Sequence, residues 1–342
     1  MNARATWVDY GKGIGIALVV YAHLLSSAYH NGLAVPQRFF EVSDSAVYSF
    51  HMPLFFFLSG LFAKGSLNKR GARAYLADKA ARIFYPYVIW SILQISAEAL
   101  FAGQSQQGAS FSTLLTIPFQ GWGQFWFLYA LFWMHVTYAA CAAFGKYANV
   151  SFLLISVFLF TFSLPTGLFE LGSFSFYVIY FSAGTALMPL FQKMEARNIP
   201  LWAAFLGAGA FLAAACALFI AALAPGRIQN FSQRYIALLF ATFGILSFSA
   251  LAQALAREKA LPLLETLGKY SLQIYLVHML AGVGMRVLLL QMGVENWLAH
   301  IFIGTVFALT APIALQKISD RLHFPYLFEF PRLQRASTAQ DG

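Results

Sequence analysis

The sequence predicts an all-α, polytopic integral membrane bundle of about ten transmembrane helices, with both termini cytoplasmic. Three observations predict it. The 342 residues are 60% hydrophobic and 10% charged, with a mean hydropathy of +0.66, whereas soluble domains are nearer 45–50% apolar and about 25% charged. Apolar runs long enough to cross a bilayer recur along the chain. Finally, if the spans alternate, eighteen of the 22 Lys and Arg residues fall on one side, leaving Arg38, Arg227, Arg234 and Arg286 on the other. Cytoplasmic loops collect Lys and Arg, and an odd number of spans would scramble this bias. The net charge of +9 is therefore read as a topology signal and not as a nucleic-acid signature.

The expected spans lie at 13–29, 46–63, 83–101, 125–144, 150–164, 174–191, 201–223, 235–255, 270–290 and 297–315. The first follows the polar start WVDYGK and holds His23, which favours an uncleaved helix over a signal peptide. The second contains Pro53, expected to kink it, and Ser59-Gly60, expected to let a neighbouring helix approach closely. An inner loop with six basic residues and one acid, Asp78, leads into the third. The outer loop 102–124 is rich in Gln, Ser and Gly and is expected to be a solvated connection. The fifth span is short. A single domain, 1–342, is expected, with a short basic tail at 316–342 too small for its own core. Cys141 and Cys216 both fall in apolar runs and form no framework or metal spacing.

Chemistry is expected where ionisable groups enter the membrane, because such groups are expensive there. Lys12 and His23 are eleven residues apart, close to three helical turns, so they share a face about 16 Å apart along the axis. His278 lies nine residues after Lys269, about 13 Å along its span, and His51 enters from the outside. These three histidines form a candidate cavity for proton chemistry. His135 sits in a Trp- and Phe-rich run and reads as a packed polar residue. No zinc site is expected, since no His-x-x-x-His pair or Cys ligand set occurs. Nor is Gly11-x-Gly13-x-Gly15 a dinucleotide loop: no strand precedes it, and small residues there suit helix packing. At the inner surface Lys79 and Arg82, like Arg70 and Arg73, are three residues apart, a spacing that shares one helix face. With Lys12 they are candidates for holding an anionic ligand.

These segments resemble the membrane acyltransferase-3 family, in particular its polysaccharide O-acetyltransferase and fucose 4-O-acetylase-like branch. The resemblance rests on Asp9-x-x-Lys12 followed by His23, HMPLFFFLSG at 51–60, Lys79-x-x-Arg82 with Pro86 beyond, Trp126-Phe127-Leu128, and LGKYSLQIYLVH at 267–278, all in order. Where this chain has Lys12 and Lys79 the family often has Arg; Lys still binds phosphate, but as a point charge. No separate esterase-like domain is expected. The resemblance implies transfer of an acyl group, most plausibly acetyl, from acetyl-CoA to a hydroxyl of a carbohydrate acceptor (a polysaccharide or lipid-linked sugar). It places the chain in the bacterial inner membrane, in contact with membrane lipid, with no metal and no nucleic-acid partner. His23 is then the general base, or alternatively the carrier of the acyl group, with Asp9 beside Lys12. Lys12, Lys79, Arg82, Arg70 and Arg73 hold the coenzyme phosphates, and His51, Ser59, Trp126 and His278 line the substrate cavity. The competing expectation is a proton-coupled transporter or flippase of a lipid-linked saccharide. Against it stands the absence of the internal repeats many transporters carry.

Overall fold

The computed structural model describes residues 6–100, 110–162, 164, 170–220 and 231–330. Residues 102–109 of the expected outer loop, the end of the seventh span at 221–223 and the tail from 331 lie outside the described residues. Among those described, the chain is helical and holds no strand. In order come α1 (Thr6–His30), α2 (Gln37–Tyr48), α3 (His51–Leu61), α4 (Ala63–Lys79), a π turn (Ala80–Phe84) and α5 (Tyr85–Leu100). Then follow α6 (Trp126–Cys141), α7 (Ala148–Phe162), α8 (Leu171–Ala196), α9 (Leu201–Ile220), α10 (Phe231–Glu258), α11 (Pro262–Lys269), α12 (Ser271–Gln291) and α13 (Trp297–Arg321). Local chemistry sets several boundaries. Pro262 opens α11, where its missing N–H is no loss, and Asn296 caps α13 by accepting from the amides of Leu298 and Ala299 at 2.9 and 3.2 Å.

Eight helical runs are long and apolar enough to cross a membrane. The difference from ten has two causes. One run, Gly123–Phe162, holds both α6 and α7, joined through Gly145 at φ +55°. The second expected span is not one helix: the chain breaks at Ser49-Phe50, and α3 has only 11 residues, about 16 Å and too short to cross alone. Every residue of α3 except Ser59 is buried, against α8, α1 and α10, so protein rather than lipid surrounds it. Pro53 does not kink this helix. It falls in the first turn, where the amide it lacks has no helical partner anyway.

The first helix is the centre of the bundle, packed on α2, α3, α10, α11, α12 and α13. Its N-terminal end is gripped by α11 backbone to backbone. A Cβ on Gly13 would overlap the Leu264 carbonyl, and one on Gly268 the Asp9 carbonyl. The glycines of 11–15 are thus packing residues. The close approach expected at Ser59-Gly60 occurs against α8: a Cβ on Gly184 would come 3.0 Å from the Gly60 Cα and overlap the Phe57 carbonyl.

The described part of the expected outer loop is exposed over most of residues 110–120, as a surface connection is, but it is pinned to the bundle. It folds into two 3-10 turns, Phe111–Thr116 and Gly123–Phe125, and buries Ile117. Three tyrosines pin it: Tyr87 donates to the carbonyls of Ile117 and Gln120, Tyr129 to Pro118, and Tyr275 to Gln124. Such bonds satisfy backbone carbonyls that lie outside the helices.

Candidate active site

Two groups of side chains converge on opposite stretches of α1. The first surrounds His23, which is half-buried. A Cβ on Gly282 of α12 would overlap the Leu24 side chain, so α1 and α12 approach closely just beside His23. One turn before Gly282, His278 is brought to 5.2 Å from His23, ring centre to ring centre. His51 joins them through Tyr48, whose ring is 4.7 Å from His51 and 6.4 Å from His23, edge-on to both. Of the three histidines expected to meet, His23 and His278 face each other directly, and His51 is joined to them through Tyr48.

Their hydrogen bonds define what the rings offer. The His51 Nδ1 donates to the Val47 carbonyl at 2.7 Å. The His278 Nδ1 donates to the carbonyls of Tyr275 and Ile274 at 2.8 and 3.1 Å. A carbonyl only accepts, so each Nδ1 carries the proton and each Nε2 presents a lone pair. The Nε2 of His278 is buried and has no hydrogen-bond partner among the described residues. His135 behaves as its surroundings suggest: it is paired with the Tyr75 hydroxyl and packed edge-on against Phe181 at 4.8 Å.

Two expected cavity residues lie further off. Ser59 is eight residues along α3 from His51, about 12 Å, and does not reach the histidines. Trp126 stands in a second layer, reached through Tyr275 (5.9 Å from His278), Phe127 (5.4 Å from Tyr275) and Phe56 (4.7 Å from Phe127 and 6.2 Å from Trp126). Tyr48 and Tyr275 were not singled out from the sequence. Tyr48 precedes His51 by three residues, a usable signal in a continuous helix, but the break at Ser49-Phe50 hides it.

The second group lies at the N-terminal end of α1. Burial, with added repulsion from Lys12, Arg70 and Arg82, pushes Lys79 down from its ordinary 10.5 to about 8, against the pull of Asp78. Lys12 from α1 is thus within electrostatic reach of the cations at the end of α4, although they are distant in sequence. Asp78 organises two of them, its carboxylate meeting Arg70 at 2.7 Å and Arg82 at 3.2 Å. The Lys79 ammonium lies 5.4 Å over the Tyr75 ring. Arg82 also meets Glu329 at 3.4 Å. That carboxylate is delivered by a segment folded back on α5, where Trp90 donates to the Leu327 carbonyl at 2.6 Å and the Phe330 amide to Ala81 at 3.2 Å.

Three expectations for this group change. Arg70 and Arg73 do not share a helix face, because Gly71 at φ +73° interrupts α4 between them, and Arg73 is exposed. Arg82 lies within the wider π turn that follows Lys79, so the regular α-helical spacing does not relate the two; π turns of this kind recur at functional sites. Asp9 is buried at the α11 contact, fourteen residues and about 21 Å below His23, so the two do not share one reaction centre.

The acyltransferase-3 profile, described as an acyltransferase domain, matches residues 5–317. The chain belongs to this family. Among curated proteins it is similar to nodulation protein NolL of Mesorhizobium japonicum, 29% identical over 135 residues, covering 38% of this chain and 34% of that protein. It is also similar to nodulation protein NolL of Sinorhizobium fredii, 31% identical over 134 residues with the same two shares. The match thus spans about a third of the length of these relatives. No solved structure matches.

Proposed function

We propose that this acyltransferase-family protein is a membrane-embedded O-acyltransferase. In this reading it moves an acyl group, acetyl in the first instance, from cytosolic acyl-CoA to a hydroxyl of a cell-surface or exported carbohydrate in a bacterial inner membrane. The observation that carries it is the alignment of the two groups along α1. A cluster of cations sits near the N-terminal end of α1, which this reading puts at the cytoplasmic surface, and a set of histidines lies about 16 Å further along the same helix.

Lys12, Lys79, Arg70 and Arg82 suit the phosphates of the donor through charge-assisted hydrogen bonds. The thioester then extends along α1 toward His23. His23 removes the hydroxyl proton as that oxygen attacks the thioester carbonyl; the carbon–sulfur bond breaks, and the thiolate leaves to take up a proton. The test is acceptor-dependent release of free coenzyme A. Purified protein in nanodiscs receives acetyl-CoA with a panel of sugars and glycan extracts. Release with the acceptor is expected, and acceptor modification without coenzyme A release would refute the reading.

The basic site has its own signature in pH. Lys79 carries its charge below about 8 and loses it as the pH rises through that value, so coenzyme A affinity is expected to fall between pH 7 and 9. Calorimetric titration across that range reads it. Lys79→Arg, which stays charged, is expected to flatten the decline; an identical decline in both proteins removes Lys79 from the phosphate site.

A further inference from the structure

We propose that Tyr48 is the platform for a polyhydroxylated ring, and that the Nε2 of His278 receives a hydroxyl next to the one that reacts. The inference rests on the acyl-transfer reading and deepens it by naming an acceptor subsite. Three observations carry it.

Tyr48 is 36% exposed, yet its ring stands edge-on to both His23 and His51, at 6.4 and 4.7 Å. It closes α2, which connects the outer end of α1 to α3. An open aromatic surface is therefore set directly beside the reacting centre, on the side away from the cations. Phenol rings present an apolar face to C–H groups while leaving a polar edge free.

The second observation is the pair of imidazole acceptors. His51 and His278 both commit Nδ1–H to backbone carbonyls, so what they present is an acceptor, and the ligand must supply the donor. A buried polar atom left unpaired costs stability, and the Nε2 of His278 is such an atom. An O–H fits it, whereas a carboxylate has no proton to give.

The third is the spacing. His278 is 5.2 Å from His23 across the ring centres, so a hydroxyl bound at one is within a neighbouring-carbon distance of a hydroxyl bound at the other. Two adjacent hydroxyls on one ring, with its C–H face on Tyr48, match that arrangement. The chemical class is a cyclic sugar with vicinal hydroxyls, approached from the outer side.

The experiment compares wild type, Tyr48→Leu and Tyr48→Phe in nanodiscs, using acetyl-CoA and methyl glycosides together with their monodeoxy analogues. Tyr48→Leu is expected to raise the acceptor KM about tenfold while kcat changes less than twofold and coenzyme A affinity holds. Tyr48→Phe, which keeps the ring, is expected to raise KM less than threefold. His278→Ala is expected to erase the preference for the parent sugar over the analogue lacking the neighbouring hydroxyl. An acceptor KM that ignores Tyr48→Leu, in a wild type that transfers normally and depends on His23, overturns the subsite alone. Transfer to linear alcohols as efficient as to rings also overturns it. No release with any glycoside overturns the acyl-transfer reading and the subsite with it; transfer that survives His23→Ala removes His23 as the base and overturns the subsite built beside it.

Discussion

His23→Ala is expected to reduce kcat for acyl transfer by roughly 10²–10⁴-fold, the range over which a positioned general base contributes. If His23 carries the acyl group covalently, the loss is greater still. The variant is expected to fold, because alanine suits a helix interior and His23 is only half-buried. Coenzyme A binding provides the check: the proposed phosphate site, with Lys12 about 16 Å away along α1, is left untouched, so binding should match wild type. Loss of transfer with donor binding intact isolates the chemical step. Near-normal product formation by His23→Ala, with folded protein confirmed, removes the histidine from the reaction and turns attention to His278.

The second large effect is structural. Gly13→Ala and Gly268→Ala are each expected to destabilise the protein by about 3 kcal/mol or more, at the upper end for overpacking. At both positions the added Cβ meets backbone, the carbonyls of Leu264 and Asp9, and backbone cannot swing aside as a side chain can. The grip of α11 on the start of α1 must open. Since that grip holds the segment carrying Lys12, weaker coenzyme A binding should accompany the lowered melting temperature in detergent. Gly207→Ala, with open space around it, is the control and is expected to melt like wild type. Equal melting of all three variants would show that the α1–α11 contact can relax cheaply.

Much of this protein is legible without coordinates, and particular residues show why. The helical class, most spans and the small-residue contact at Gly60 follow from composition, hydropathy and residue size, which act over neighbouring positions. His23 and Lys12 could be aligned because α1 is an uninterrupted helix, and 3.6 residues per turn is a reliable ruler within one. The same ruler misleads at Arg70 and Arg73, where Gly71 breaks the helix, and does not apply between Lys79 and Arg82, because Arg82 lies within a π turn.

Hydrophobicity, charge bias and local periodicity are local quantities, so the sequence by itself determined a polytopic helical bundle with cations gathered at one end and histidines within its spans. Which histidines meet is not local. His278 reaches His23 because Gly282 admits Leu24, Tyr48 reaches them because the chain breaks before α3, and Lys12 comes within electrostatic reach of Lys79 across elements far apart in sequence. The tertiary structure alone decided these juxtapositions, since they depend on how closely helix surfaces far apart in sequence can approach.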